Sequence, residues 1–165
     1  MTNDFAIVGG EKYYVKEGLL DFSDARVTDI TNIEGLDNLT NIQSLDFYEN
    51  QIKEIKGLEK LSNLRELNFF HNQIEVISGL DQLTKLQDLN ISGNDIKEIS
   101  GLKHLLNLQR LDLERNQIKK IGGLENLSNL RELYLSWNRI ADVNGLEHLI
   151  NLKKINLQGN PIREN

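Results

Sequence analysis

The sequence predicts an α/β fold in which short repeated units stack into a curved solenoid with a parallel sheet along one face. Asparagine recurs every 22 residues, and apolar residues keep fixed offsets around it, as Leu111, Leu113 and Ile118 do. A unit of this size cannot bury its own leucines, so neighbouring units must stack and share one core. The recurring asparagines are Asn50, Asn72, Asn94, Asn116, Asn138 and Asn160.

Each unit is predicted to contain a strand, a turn and a short helical return. The L-x-L segment has period 2, which indicates a short strand with its leucines facing inward. The asparagine then ends the strand, and its amide can satisfy buried backbone donors and acceptors at once. Leucines three apart, such as Leu124, Leu127 and Leu130, suit a helical or 3-10 turn on the convex side. Stacking therefore predicts a structural asparagine ladder beside a concave sheet of seven strands about 4.8 Å apart.

The two ends of the chain differ from the repeated unit. We predict a capping hairpin over residues 1–18, because "FAIVGGEKYYV" reads as two strands around a Gly-Gly turn. Residues 19–165 form the repeat domain of about six to seven units, the first 25 residues long with Ala25 at the asparagine position. The last unit is incomplete after Asn160. Since terminal units need caps, we expect a longer natural chain or self-association near Leu157 and Ile162.

The motif L-x-x-L-x-L-x-x-N-x-I, with its I-x-G-L continuation, resembles the 22-residue class of the leucine-rich repeat family over roughly residues 19 to 163. The regulatory subunit of protein phosphatase 1 and the bacterial internalins share this class. The resemblance implies a right-handed, curved solenoid and a non-catalytic protein-interaction role, such as a regulatory scaffold. Contact residues are not part of the motif, so the resemblance assigns none.

Composition narrows the compartment and the class of partner. The chain has no cysteine, which favours a reducing compartment. It begins without a signal-like segment and has no apolar stretch long enough to span a bilayer, so we expect a soluble, cytoplasmic protein without membrane contact. A formal net charge of -6 opposes binding to nucleic acid. The expected partner is therefore a protein, whose identity the sequence does not give.

Aromatic side chains on the sheet face form the predicted binding site. Residues between the inward leucines point away from the core, and exposed aromatics are enriched at binding hot spots. Phe70 and Trp137 lie three units apart, or roughly 14 Å, so one partner could contact both. The alternative is that these aromatics pack on neighbours across strands. The predicted partner-binding residues are Tyr48, Phe70, His71, Asp112, Glu114, Tyr134 and Trp137.

We expect no catalysis, no cofactor and no metal. Ser92, His71 and Asp112 can be drawn as a triad, but an open sheet offers no oxyanion donors and does not exclude water. His104 and His148 lie two units apart, roughly 10 Å, which is too far to share a metal ion. Paired acids such as Asp112 and Glu114 without a pocket are more typical of a charged surface.

Two alternatives to a free-standing interaction module stay open. A regulatory repeat arm of a larger multidomain enzyme, such as a GTPase, would explain the missing C-terminal cap. An internalin-like adhesin is the second alternative, although the start of the sequence does not resemble a signal peptide. In each case an aromatic and acidic face favours a partner that carries basic and apolar groups.

Overall fold

The computed structural model describes residues 4–163, which form two sheets. Strands β1 (Phe5–Val8) and β2 (Glu11–Tyr14) pair antiparallel. A seven-stranded parallel sheet follows in chain order: β3 (Leu19–Asp21), β4 (Ser44–Asp46), β5 (Glu66–Asn68), β6 (Asp88–Asn90), β7 (Arg110–Asp112), β8 (Glu132–Tyr134) and β9 (Lys154–Asn156). The first three and last two residues of the predicted domains lie outside the described residues.

The parallel strands pair in one constant register. Leu45, Leu67 and Leu89, the central residues of β4, β5 and β6, lie directly opposite one another. All three are almost fully buried, as are the central leucines of β3, β7 and β8. Equivalent residues thus stack from unit to unit, which confirms the predicted parallel-sheet solenoid. Its handedness and the concave position of the sheet stay predictions.

Stacked phenylalanines fill the core of the first units. The rings of Phe22, Phe47 and Phe69 are parallel, with centroids 5.4 and 5.3 Å apart. Tyr13 of β2 extends the stack, its ring lying 5.0 Å from that of Phe22, and Ala6 of β1 is fully buried. Aromatic pairs of this kind contribute about 0.5–1.5 kcal/mol each beyond area burial. The N-terminal hairpin therefore packs directly on the core.

The returns are less helical than the sequence predicts, which corrects the α/β assignment. Within residues 4–163, 3-10 helices occur only at Ile30–Asn32 and Leu36–Asn38. Later returns use separate turns, in which Leu61 N–H donates to the Leu58 carbonyl and Leu64 N–H to that of Leu61. Bonds at every third residue position the leucines without the consecutive bonds that a helix needs. No helix of this described segment is long and apolar enough to cross a membrane.

The asparagine side chains connect adjacent units. Asn94 is 7% exposed, and its Oδ1 accepts from the Ile74 N–H at 2.9 Å. Its Nδ2 donates to the carbonyl of Phe69 in the preceding unit at 2.9 Å and to that of Ile91 at 3.2 Å. One amide thus joins buried backbone groups of two units. Asn50, Asn72, Asn116, Asn138 and Asn160 make the equivalent bonds.

The last described units bury less apolar surface than the first. Ile155, the central residue of β9, is 38% exposed, whereas the equivalent Leu20 of β3 is fully buried. Ile150 is 81% exposed, and Ile162 is also exposed. Leu157 lies at the edge of the core and is only partly buried.

Candidate partner-binding face

The candidate site is the side of the seven-stranded sheet opposite the core, which we call the open sheet face. It consists of the residues that flank the central residue of each strand and of the two residues at the end of the strand segment. On β5, for example, Glu66 and Asn68 flank buried Leu67, and Phe70 follows. Alternation along the strands places these side chains on one side, side by side with their equivalents on neighbouring strands.

One set of polar residues on this face has a structural role that the sequence analysis missed. Asp46 Oδ1 accepts from the Tyr48 N–H at 2.8 Å, and Asn68 Oδ1 accepts from the Phe70 N–H at 3.0 Å. Short amide or carboxylate side chains commonly bond the backbone two residues on. Asp21, Asn90, Asp112 and Asn156 do the same. The recurrence of Asp or Asn at the third strand residue was the available signal, and Tyr134 interrupts it.

The residue before each ladder asparagine adopts a left-handed backbone conformation. Its φ is 52° at Glu49, 59° at His71, 52° at Arg115 and 56° at Trp137, while glycine occupies this position twice. Bulky residues rarely adopt positive φ. Trp137 is nevertheless 56% exposed, and its indole covers Gly159, where an added Cβ would lie 2.8 Å from the ring. The only tryptophan of the chain therefore lies exposed on the face, with its ring packed on the backbone of Gly159.

Tyr48, Phe70 and His71 form one aromatic group near the N-terminal end of the face. The Tyr48 and Phe70 rings stack with centroids 5.3 Å apart, and the His71 ring lies 4.9 Å from that of Phe70. Both Phe70 and His71 lie over Gly93, where an added Cβ would approach them to 3.1 and 2.9 Å. These residues therefore pack on one another across strands, as the alternative interpretation predicts, while Tyr48 and Phe70 remain partly exposed.

Tyr134 lies between two cations of its own chain. The guanidinium carbon of Arg110 is 5.0 Å and the Lys154 Nζ 4.9 Å from the ring centroid, within the range of cation–π attraction. The Tyr134 hydroxyl donates to Glu132 at 2.5 Å. A hydrogen bond with the Tyr134 hydroxyl raises the pKa of the Lys154 ammonium. The ring is thus engaged within the sheet, and the structure does not bring it into a common cluster with Trp137.

Arg110 organises the carboxylates around it. It contacts Asp88 at 3.1 Å and Asp112 at 2.9 Å, and its Nε lies 4.0 Å from Glu132. Asp112 is only 8% exposed, and its second oxygen accepts from the Glu114 N–H. Burial raises the pKa of the Asp112 carboxyl, although the Glu114 N–H and Arg110 oppose this effect. Asp112 is therefore engaged beneath the surface, not displayed to a partner as the sequence analysis expected.

Glu114 and the residues of the hypothetical Ser92–His71–Asp112 triad also interact with other side chains of the chain. Glu114 accepts from the Ser136 hydroxyl and from Asn156 Nδ2. The Ser92 hydroxyl donates to Asn90 at 2.6 Å, and His71 Nδ1 lies 3.8 Å from Glu49, so the structure does not assemble Ser92, His71 and Asp112 as a triad. Among residues 4–163, no group of three or more acidic, histidine or cysteine side chains is placed to hold a metal ion.

Charges on the open sheet face are arranged differently along its length. Toward the N-terminal end, Asp21 lies opposite Asp46 and Glu66 opposite Asp88. Toward the other end, Arg110 lies opposite both Asp88 and Glu132, and Glu132 also lies opposite Lys154. Like charges directly across a sheet are destabilising and opposite charges are favourable. We call β3 to β6 the acidic half of the face and β7 to β9 the paired half.

Comparisons with known proteins agree with this architecture. The family model described as Leucine Rich repeats (2 copies) matches residues 62–104, 106–148 and 128–165. No curated protein sequence matches significantly.

Proteins of two bacterial species are among the solved structures of similar fold. An internalin of Listeria monocytogenes is 33% identical with a TM-score of 0.74, covering 82% of this chain and 39% of its own. Internalin C2 of the same organism is 30% identical with a TM-score of 0.70, covering 89% of this chain and 74% of its own. A leucine-rich repeat protein of Leptospira interrogans is 29% identical with a TM-score of 0.73, covering 79% of this chain and 35% of its own.

The chain thus spans well under half the length of two of these proteins. The matched family model covers more than half of the chain, and the asparagine bonds repeat every 22 residues. The chain belongs to the leucine-rich repeat family.

Proposed function

We propose that the chain is a non-catalytic protein-interaction module that binds a protein partner on its open sheet face, the predicted concave side of the solenoid. Trp137 carries the proposal. It is a large aromatic residue, 56% exposed, at a position where glycine is used in two other units. Backbone strain of this kind costs on the order of 1 kcal/mol and is typically kept where function requires it. Membership of the leucine-rich repeat family supports a protein as the partner.

The proposed mechanism is presentation of fixed side chains. Trp137 rests on Gly159, and Phe70 is held between Tyr48 and His71, so neither ring loses much freedom on docking. Aromatic residues also supply large contact areas at interfaces. Asp112 is not among the proposed contact residues, because its carboxylate is paired with Arg110.

A pull-down from the native extract tests the proposal. The immobilised chain is compared with a Phe70→Ala/Trp137→Ala variant, and a Val76→Ala/Leu106→Ala variant serves as control. Val76 and Leu106 are 60% and 53% exposed, outside the strands. We expect the first variant alone to lose a protein captured by the wild type. Equal recovery of the same proteins by all three would contradict binding through the open sheet face.

Self-association through the last units is a second candidate, supported by the exposed side chains of Ile155 and Ile162. Light scattering over a range of protein concentrations measures it. Self-association predicts a concentration-dependent rise in mass that Ile155→Ser reduces, and a constant monomer mass would contradict it.

An internalin-like adhesin is supported by the identity of 33% to an internalin. It predicts that the labelled chain binds intact cells through Trp137, so binding of the Trp137→Ala variant at the wild-type level would contradict it. The regulatory-arm alternative and the cytoplasmic location stay predictions.

A further inference from the structure

We propose that the acidic half of the open sheet face docks a basic segment of the partner, with arginine or lysine side chains over Asp46 and Glu66 and beside the Tyr48–Phe70 pair. This inference rests on the proposed function and adds the chemistry of the partner to it. It concerns a different part of the face from Trp137.

The first argument is the cross-strand charge pattern. Asp21 faces Asp46 and Glu66 faces Asp88 on neighbouring strands, so the acidic half keeps repulsive pairs where the paired half places opposite charges. Within the described part of the chain, Glu66 makes no ion pair. Arg110 already pairs with Asp88, so an external cation would act on the remaining repulsion at Asp46 and Glu66, whereas an acidic partner would increase it.

The second argument is an internal example of the same recognition. At Tyr134 the chain combines an aromatic ring with a carboxylate, Glu132, and two of its own cations occupy that ring. The Tyr48 and Phe70 rings are partly exposed, and the Tyr48 hydroxyl donates to the Glu49 carboxylate at 2.7 Å. Among residues 4–163, however, no lysine or arginine lies over either ring. The acidic half therefore has an aromatic ring beside a carboxylate, as at Tyr134, but lacks the cation that lies over the Tyr134 ring.

The third argument is shape. A shallow recess opens on this half of the face, lined by Asp46, Glu66, Asn68, Asp88, Asn90 and Arg110. Arg110, at one wall, is already bound by Asp88 and Asp112. The Tyr48 and Phe70 rings follow the recess two residues further along the strands, or roughly 7 Å. An extended segment with a basic residue in the recess and a second basic or apolar side chain on the rings fits this spacing.

The test uses a fluorescent peptide of alternating arginine and alanine, with a glutamate-alanine peptide as the opposite probe. Fluorescence anisotropy measures Kd for the wild type and for Asp46→Asn/Glu66→Gln. Asparagine occupies the position of Asp46 in β5 and β6, so this change keeps the acceptor for the Tyr48 N–H. The matched control is Glu98→Gln/Glu125→Gln, which removes the same charge outside the strands.

We expect the arginine peptide to bind, and the Asp46→Asn/Glu66→Gln variant to raise its Kd roughly fivefold or more. Phe70→Ala should raise the Kd by a similar factor through loss of the cation–π contact, roughly threefold to fivefold. The control variant should change it less than twofold, a rough limit for distant surface charges, and the glutamate peptide should not bind. Absence of arginine-peptide binding, or equal weakening by both double variants, would overturn the proposal.

The same variants separate this inference from the proposed function. If the protein captured from the extract is lost with Trp137→Ala but retained by Asp46→Asn/Glu66→Gln, the interaction module stands and the basic-segment inference fails. If neither variant changes its capture, both fail.

Discussion

The two halves of the open sheet face share one backbone and differ in how their charges are satisfied. In the paired half, Arg110 and Lys154 lie opposite Glu132, and Arg110 also lies opposite Asp88 of the acidic half. In the acidic half, Asp21 faces Asp46 and Glu66 faces Asp88. The strand geometry does not require this difference, because both halves have the same register. Under the proposed docking of a basic segment, an external group would supply the cations that the acidic half lacks.

Removal of Arg110, which lies in the paired half, should have the largest effect on the free energy of unfolding. Arg110→Ala leaves Asp88, Asp112 and Glu132 together without their cation, and Asp112 is almost fully buried. Loss of one partner of a fully buried ion pair costs about 3–5 kcal/mol. Because Arg110 is 34% exposed, we expect a smaller decrease in the free energy of unfolding, about 2 kcal/mol. Urea denaturation measures this change.

Arg131→Ala is the matched control, since Arg131 is an exposed arginine beside the same sheet. It should change the free energy of unfolding by less than about 0.5 kcal/mol. Equal effects of the two substitutions would mean that the Arg110 contacts contribute nothing specific.

Substitution of the two glycines beneath aromatic rings, Gly93 and Gly159, should have the next largest effect on stability. Gly93→Ala and Gly159→Ala each place a Cβ within 3 Å of an aromatic ring at a φ above 60°. The left-handed conformation alone costs about 1–2 kcal/mol for a residue with a Cβ. We expect both substitutions to lower stability by about that amount. Thermal unfolding followed by circular dichroism measures the loss.

Tryptophan fluorescence then distinguishes the substitution at Gly159 from that at Gly93. Trp137 is the only tryptophan, so its emission should shift in Gly159→Ala and stay unchanged in Gly93→Ala. An unchanged emission in both variants would contradict the contact between Trp137 and Gly159.

Charge reversal should have opposite signs in the two halves. Glu66→Lys replaces a like-charge pair with Asp88 by an opposite pair, whereas Lys154→Glu does the reverse opposite Glu132. Cross-strand charge pairs are worth about 0.2–1 kcal/mol. We expect Glu66→Lys to stabilise the chain by about 0.5 kcal/mol and Lys154→Glu to destabilise it. Paired urea titrations at low salt test the signs, and a common sign would contradict the distinction between the halves.

The pH dependence of stability should give the smallest effect. Burial raises the pKa of the Asp112 carboxyl above its unfolded value, so the folded chain binds this proton more tightly than the unfolded chain. The contribution of Asp112 to stability therefore falls as pH rises from about 4 through the folded pKa. Asp112→Asn keeps the acceptor for the Glu114 N–H and removes the titration. Its stability relative to the wild type should rise over this window in urea titrations, and a constant difference would contradict the argument.

The sequence predicted the parts of this molecule that depend on spacing. The 22-residue recurrence correctly placed Leu45, Leu67 and Leu89 in the core, and it placed Asn94 where its amide joins two units. It also put Trp137 on the side of the sheet away from the core. These features follow from period 2 along a strand and from stacking of identical units, which are local properties of the pattern.

Features that depend on contacts between particular side chains were not predicted. Asp112 was expected on the surface, yet Arg110 of the same strand covers it. The leucines three apart favoured helical returns, but separate turns place Leu61 and Leu64 equally well. The left-handed conformation at Trp137 had only one sequence signal, the glycines at 93 and 159 in the same position. Position in the repeat fixes which residues are neighbours, and the hydrogen bonds and ion pairs they form then depend on their chemistry.

The asparagine amides also determine how the chain loses structure. Each one joins its own unit to the unit before it, as Asn94 does through Ile74 and Phe69, so the asparagine ladder links nearest neighbours. A chain of this kind unzips from its weaker end instead of opening everywhere at once. The Phe22–Phe47–Phe69 stack strengthens the first units, while Ile155 leaves the last described strand weakly held. Amide hydrogen exchange should therefore be fastest in β9 and slow progressively toward β4, so that fraying begins in the paired half and reaches the acidic half last.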